Sequence, residues 1–217
     1  MGFLLDILYP KNFVCALCGR EAPVPDTMIC DDCAAGLVRN PPVDCPAPLD
    51  GIRSGLAYTP ALRTPVASFK YRRNTWYAPI FAQFMELPAE WHIDCIVPVP
   101  LHPLRRLWRT FNQSELLARH VSDRFHIPVN TKLLRRVRYT KPQARLAASK
   151  RLTNLDNAFV SSPAASGRDI LLIDDVTTTH TTLLACASEL KRRGAAHVYA
   201  LTAFCAVSSP TKTDKNE

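Results

Sequence analysis

No stretch of the 217-residue chain approaches the roughly 18 uninterrupted apolar residues that a membrane-spanning helix needs, because prolines and charges break every candidate. The N-terminal Met1-Gly2-Phe3-Leu4-Leu5-Asp6 has no basic lead, and an acid interrupts its apolar run, so it does not read as a secretory signal. Residues 3 to 9 read instead as a short amphipathic helix stopped by Pro10. With no secretory signal, the eight cysteines are expected to be thiols in a reducing cytosol rather than a disulfide framework. No internal repeat divides the chain. Acidic residues are scarce in one region: from Arg63 to Arg151 there are 17 Lys and Arg against 5 Asp and Glu, while the rest of the chain is net acidic. A local surplus of that size suits a polyanionic partner, nucleic acid or a phosphorylated small molecule. The alternative is a basic, well-solvated face.

What is present divides into two parts. Cys15-x-x-Cys18 and Cys30-x-x-Cys33 form two knuckles separated by eleven residues, a spacing that lets two tight turns bring four thiolates around one ion. Ligand softness and count point to zinc, and four cysteines leave no open coordination position, so the ion is expected to be structural. The alternatives are ordinary buried thiols or a redox pair. A module of this size buries too little surface to fold alone, whereas structural zinc contributes roughly 10–16 kcal/mol of apparent free energy in finger peptides. Cys45, Cys95, Cys186 and Cys205 are taken as core or incidental. A proline-rich run from Asn40-Pro41-Pro42 to Pro48 reads as the way out of the module, giving expected units of 1–45, 46–207 and a disordered polar tail, 208–217.

Beyond residue 45, apolar Ile93 to Val99, Ile170 to Ile173 and Val198 to Phe204 read as strands separated by helices, which implies a mostly parallel α/β sheet. Asn112 is a good N-cap for a helix starting near Gln113, with Glu115 placed as in a capping box. A second helix, about Thr182 to Arg193, ends in Lys191-Arg192-Arg193 with Gly194 at the C′ position.

The segment Ile170 to Thr182 carries the most chemistry. A buried strand runs into Asp174-Asp175, then into a hydroxyl-rich turn, Thr177-Thr178-Thr179-His180-Thr181-Thr182, that opens a helix. Backbone N–H groups and hydroxyls at a helix N-terminus suit a phosphate, and carboxylates at a strand end suit ribose hydroxyls. Consecutive strand residues face opposite ways, so both acids reach one ligand only if the strand turns at Asp175. A solvated acidic turn before a capped helix is the alternative.

This segment resembles the phosphoribosyl diphosphate signature of type I phosphoribosyltransferases, and together with the cysteine module the chain resembles the ComF family of competence-associated proteins. The likeness extends to Phe69-Lys70-Tyr71, Val97-Pro98-Val99-Pro100-Leu101, Arg109 with Phe111-Asn112-Gln113, and Gln143 with Leu146 and Arg151. It implies a type I phosphoribosyltransferase-like fold carrying a zinc ribbon. It implies a pyrophosphate-side loop at Val97 to Leu101, including Pro98, Val99 and Pro100, and a ribose-phosphate loop at Asp174 to Thr182. Phosphoribosyl diphosphate with magnesium, and a role in handling imported single-stranded DNA during natural transformation, are implied as well. The chain departs from the family at Thr110, Arg145 and His180, where glycine is usual; a side chain costs roughly 1–2 kcal/mol where such a turn is left-handed.

Arg105, Arg106 and Arg109 surround Trp108, and Arg135, Arg136, Arg138, Tyr139 and Lys141 form a second cluster continued by Arg145, Lys150 and Arg151. Cations for the backbone interleaved with rings for stacked bases are what a single-strand binder uses; solvated arginines around a core Trp108 are the other reading. The expected function is therefore DNA handling on a phosphoribosyltransferase scaffold. The alternatives are an active phosphoribosyltransferase and a scaffold docking a helicase or recombination mediator through the ribbon.

Overall fold

The computed structural model describes residues 14–22, 24, 27–101, 111–138 and 157–206. The expected helix at 3–9 and the tail at 208–217 lie outside the described residues. Asp31–Ala35 is a short helix, α1, that follows the second knuckle. Its chain then runs antiparallel along the first strand, with the Ala57 N–H donating to the Val38 carbonyl at 2.9 Å and an isolated bridge at Arg39↔Leu56.

Four strands form the main sheet: β1 (Gly51–Ala57), β2 (Cys95–Pro98), β5 (Asp169–Thr177) and β6 (His197–Cys205), in the order β1-β6-β5-β2, with every pairing parallel. Ile170 to Ile173 of β5 are fully buried, as a central strand covered on both faces must be. Alternation along that strand splits the core. Leu171 and Ile173 join Leu56, Ile96 and Leu201 against α2 (Arg63–Tyr71), α3 (Tyr77–Ala82) and α4 (Gln113–Phe125). Ile170 and Leu172 join Val97, Val198 and Ala200 against α5 (Thr181–Arg192) and a two-stranded antiparallel hairpin, β3 (Leu134–Arg136) with β4 (Phe159–Ser161). Cys95, Cys186 and Cys205 are buried, and Cys45 is exposed.

Both expected helices are present. The Asn112 side chain accepts from the Ser114 N–H at 3.1 Å and donates to the Val99 carbonyl at 3.0 Å, so one residue starts α4 and ties that start to the end of β2. Leu117 and Val121 then bury one face of α4, each worth about 1.5–3 kcal/mol of hydrophobic stabilisation. The last turn of α5 holds Lys191 and Arg192, and Gly194, at φ +87°, donates its N–H back to the Lys191 carbonyl. That backbone conformation favours glycine. No helix among the described residues is long and apolar enough to cross a membrane.

Candidate functional site

The sulfurs of Cys15, Cys18, Cys30 and Cys33 all lie within 4.8 Å of one another, with Cys18 Sγ 3.9 Å from Cys30 Sγ. Thiolates about 2.3 Å from a tetrahedral ion stand about 3.8 Å apart, so the cluster fits one metal ion such as zinc. Local backbone makes the fit. Gly19, at φ +71°, closes the first turn by donating to the Cys15 carbonyl at 2.9 Å, and the Ala16 N–H donates to the Met28 carbonyl at 2.9 Å to bring the knuckles together. Burial raises the Cys15 thiol, but N–H bonds from Cys18, Cys30 and Leu17 outweigh it and pull the thiol down. The Arg20 N–H, helped by its guanidinium, lowers Cys18 to about 6. Thiolate is the form a metal binds. The module docks on α3: Tyr77 donates its hydroxyl to the Ala16 carbonyl at 3.1 Å, and Ile29 and Ala16 share a core with Phe81.

At the carboxyl edge of the sheet, β5 does not turn at Asp175. It stays paired with β6 to Thr177↔Cys205, four residues past its last partner in β2 at Pro98↔Ile173. The two acids are nevertheless both held from the side of α2 and α4. The Ser114 hydroxyl donates to Asp174 Oδ1 at 2.9 Å, and Lys70 Nζ stands 3.2 Å from Asp175 Oδ1. The carboxylates also accept from the strand itself, Asp174 from the Asp175 N–H and Asp175 from the Val176 N–H. Burial, then the neighbouring Asp175 charge, raises the Asp174 carboxyl to about 7 against the pull of those N–H and hydroxyl donors and of Lys70. Lys70, named above only within the Phe69-Lys70-Tyr71 likeness, and Ser114 are site residues to which the sequence alone assigns no role.

Gln113 explains how Lys70 is delivered: its amide donates to the Lys70 carbonyl at 3.1 Å, capping the end of α2 from the start of α4. Phe69 and Phe111 pack with ring centroids 6.4 Å apart. The Phe-Lys-Tyr and Phe-Asn-Gln segments, distant in sequence, thus meet around Asp174 and Asp175.

Beyond the acids, residues 176–183 and Asp174 line a concavity of about 60 Å³. One water needs about 10–15 Å³ on that measure, so the space is of the order of a single phosphate group. The N–H groups of Thr181, Thr182 and Leu183 begin α5, where no helical carbonyl lies one turn below them, and the helix dipole is positive there. Thr179 and Thr181 share a hydroxyl hydrogen bond of 2.8 Å. His180 occupies the left-handed region at φ +54°, the conformation that glycine adopts without penalty and histidine at a cost of about 1–2 kcal/mol. Its Nδ1 is 2.8 Å from Thr177 Oγ1. Burial lowers the imidazole's pKa below its usual value, with Asp44 opposing.

Pro98 ends β2, and the Val99 N–H donates to the Ile173 carbonyl at 2.9 Å, so the Pro98-Val99-Pro100 segment leaves the sheet beside the acids without lining the concavity. Of the basic residues, Arg105, Arg106, Arg109, Lys141 and Arg145 lie outside the described residues, as do Trp108, Thr110, Tyr139, Gln143, Leu146, Lys150 and Arg151. Arg135, Arg136 and Arg138 do not share a face. Arg135 and Arg138 are exposed, whereas Arg136 is half-buried, its guanidinium 5.3 Å over the Phe159 ring.

No protein-family model matches the chain. It is 30% identical over 203 residues to DNA utilization protein YhgH of Escherichia coli K12, covering 85% of this chain and 87% of that protein. It is 32% identical over 148 residues to competence protein F of Haemophilus influenzae, covering 63% of this chain and 65% of that one. To competence protein ComFC of Bacillus subtilis it is 29% identical over 188 residues, covering 84% and 73%. Among solved structures, it overlaps a glutamine phosphoribosylpyrophosphate amidotransferase from B. subtilis with a TM-score of 0.39 and 17% identity, over 62% of this chain and 26% of that one. A hypoxanthine phosphoribosyl transferase of Trypanosoma cruzi gives a TM-score of 0.37 and 13% identity, over 64% and 77%. No residue role follows from overlaps that loose. Identity of 30% sustained along most of both lengths is homology, however, and the chain belongs to the ComF family of competence-associated proteins.

Proposed function

We propose that the chain handles single-stranded DNA during natural transformation, on a phosphoribosyltransferase-like domain whose loop after β5 holds the ribose 5-phosphate part of phosphoribosyl diphosphate. The observation that carries the site is the phosphate-sized concavity at the start of α5 with the Asp174 carboxylate in its lining and Asp175 next in the strand. Thr177 to Thr182 offer hydroxyls and N–H groups to the phosphate, Asp174 and Asp175 accept from ribose hydroxyls, and Pro98 to Pro100 flank the diphosphate. Magnesium accompanies that ligand and offsets its charge. The four-cysteine cluster holds zinc in a structural role, since four sulfurs leave no open position.

The DNA part of the reading draws on the relatives' names, DNA utilization protein and competence protein, and on the surplus of Lys and Arg between Arg63 and Arg151. A cytoplasmic setting and a helicase or recombination-mediator partner at the ribbon belong to the same reading. A second reading, an active phosphoribosyltransferase, is favoured by Asp174, whose raised carboxyl is poised to exchange a proton near neutral pH.

Calorimetric titration of phosphoribosyl diphosphate with and without magnesium tests the site. Magnesium-dependent binding is expected, lost in Asp174→Asn and in Asp175→Asn; absence of binding to the wild type overturns the ligand assignment. Release of pyrophosphate with an amine or nucleobase acceptor selects the second reading. Absence of single-stranded DNA binding at low salt overturns the DNA part.

A further inference from the structure

One surface outside the sugar-phosphate site combines exposed cations with exposed aromatic residues. From Gly51 to Met85 the sequence contains no Asp or Glu and five Lys and Arg. Lys70 is committed to Asp175, but Arg63, Arg72 and Arg73 are exposed and are held by no carboxylate among the described residues. Arg63 and Arg72 stand at either end of a shallow groove of about 280 Å³ along α2, with Thr64, Ala67 and Ser68 between them. Ala67 keeps its floor low.

Two exposed aromatic residues follow in the same stretch of chain. Tyr71, at the end of α2, is 69% exposed, and Trp76 is 45% exposed. The turn before Trp76 is tied back to α2: the Asn74 amide donates to the Ser68 hydroxyl, on the groove wall, at 2.9 Å. One face of Trp76 stacks on Tyr77, with centroids 3.9 Å apart and planes 24° from parallel, and Tyr77 is itself fixed by its bond to Ala16. The indole is therefore held against a second ring while remaining 45% exposed.

We infer that the outer face of α2 and the turn after it, Arg63, Arg72, Arg73, Tyr71 and Trp76, form a track for a single strand of nucleic acid. The track draws on none of the residues from Arg105 to Arg145 named above, and its α2 end leads toward the sugar-phosphate loop. Guanidinium groups with no counter-charge among the described residues take backbone phosphates, and an aromatic face backed by a second ring takes an unstacked base. A duplex hides its base faces, so the platform selects single strands. Direction follows from α2, which carries the groove on its outside and delivers Lys70, at its C-terminal end, to Asp175. The inference rests on the DNA-handling reading for its partner, and it adds the place where the strand lies.

The test is fluorescence anisotropy of a labelled oligo-dT on the full zinc-loaded chain across a salt series. In an Arg63→Gln, Arg72→Gln double variant, the slope of log affinity against log salt becomes shallower by about 1.4, two phosphates at about 0.7 each for single strands. Trp76→Ala lowers affinity about fivefold or more, and Trp76→Phe restores most of it. Because Trp76 also packs on Tyr77, each variant is checked for unchanged melting and zinc content, and photocrosslinking with 5-iodo-deoxyuridine supplies a readout on the wild type, expected to mark residues 71–76. If the wild type binds while the variants match it and crosslinks fall elsewhere, the α2 track is overturned and DNA handling stands. If the wild type binds no single strand at low salt, DNA handling falls and the track falls with it.

Discussion

The metal knuckles and the loop after β5 are both built on tight turns, yet they are held in different ways. Within the knuckles, the groups that fix each cysteine come from nearby chain: Gly19 on Cys15, Arg20 on Cys18, the Cys30 N–H on Cys15 Sγ at 3.4 Å. In the loop, the hydroxyls are local but the acids are governed from afar, by Ser114, sixty residues away in sequence, and by Lys70 on another helix. The first region is shaped by its own turns and rests on α3 through Tyr77 and the shared apolar cluster. The second needs the whole α2–α4 side of the domain in place before its carboxylates are set.

Removing the metal gives the largest expected effect. Chelation, or the Cys15→Ser, Cys18→Ser double variant, removes a contribution of roughly 10–16 kcal/mol and unfolds the ribbon; elemental analysis for zinc with thermal melting reads it. A metal-free wild type that melts as the loaded protein does would erase the contrast.

Lys70→Met comes next. The pair it breaks is mostly buried, with side-chain exposures of 20% and 13%, and stranding the Asp175 charge destabilises the fold by about 3 kcal/mol in urea denaturation. Asp32→Ala in the ribbon breaks an exposed pair with Arg20 and leaves the urea midpoint nearly unchanged. Equal effects would show that long-range support is no more important in the loop than in the knuckles.

The smallest effect is on pH dependence. Asp174 binds its proton more tightly folded than unfolded, with a carboxyl raised from 3.8 to about 7. Its contribution is therefore fully present below about pH 4 and is lost as pH rises through about 7. Asp174→Asn flattens that decline and stabilises the fold at pH 7 by on the order of 2 kcal/mol, while abolishing ligand binding. A steeper decline in the variant would reverse the assigned sign.

How much was legible in the sequence follows the same division. The knuckles could be read outright, because two Cys-x-x-Cys turns specify their own geometry. The Asp174-to-Thr182 loop was legible as a strand, acids and helix start, but the continuation of β5 to Thr177 was not, because it depends on pairing with β6 after β2 has ended. Lys70 and Ser114 could not be assigned from spacing, since only tertiary packing brings them to the acids. Helices α2 and α3 carry Pro65 and Pro79, which look like breakers yet stand in first turns, where no helical N–H bond is needed. Strand β1 contains two glycines and gives no strand signal; a Cβ at Gly55 would meet the Phe84 carbonyl oxygen at 2.6 Å, so close packing there requires glycine.

The bond from the Tyr77 hydroxyl to the Ala16 carbonyl, with Ile29 packed into the same apolar cluster as Phe81, makes the ribbon a lid over the domain's own interior. Stripping the ion would therefore wet a side of that interior and loosen the ring on which Trp76 rests. Ribbon and domain would lose order together in one cooperative transition, and availability of zinc would be felt at a surface that has no cysteine on it.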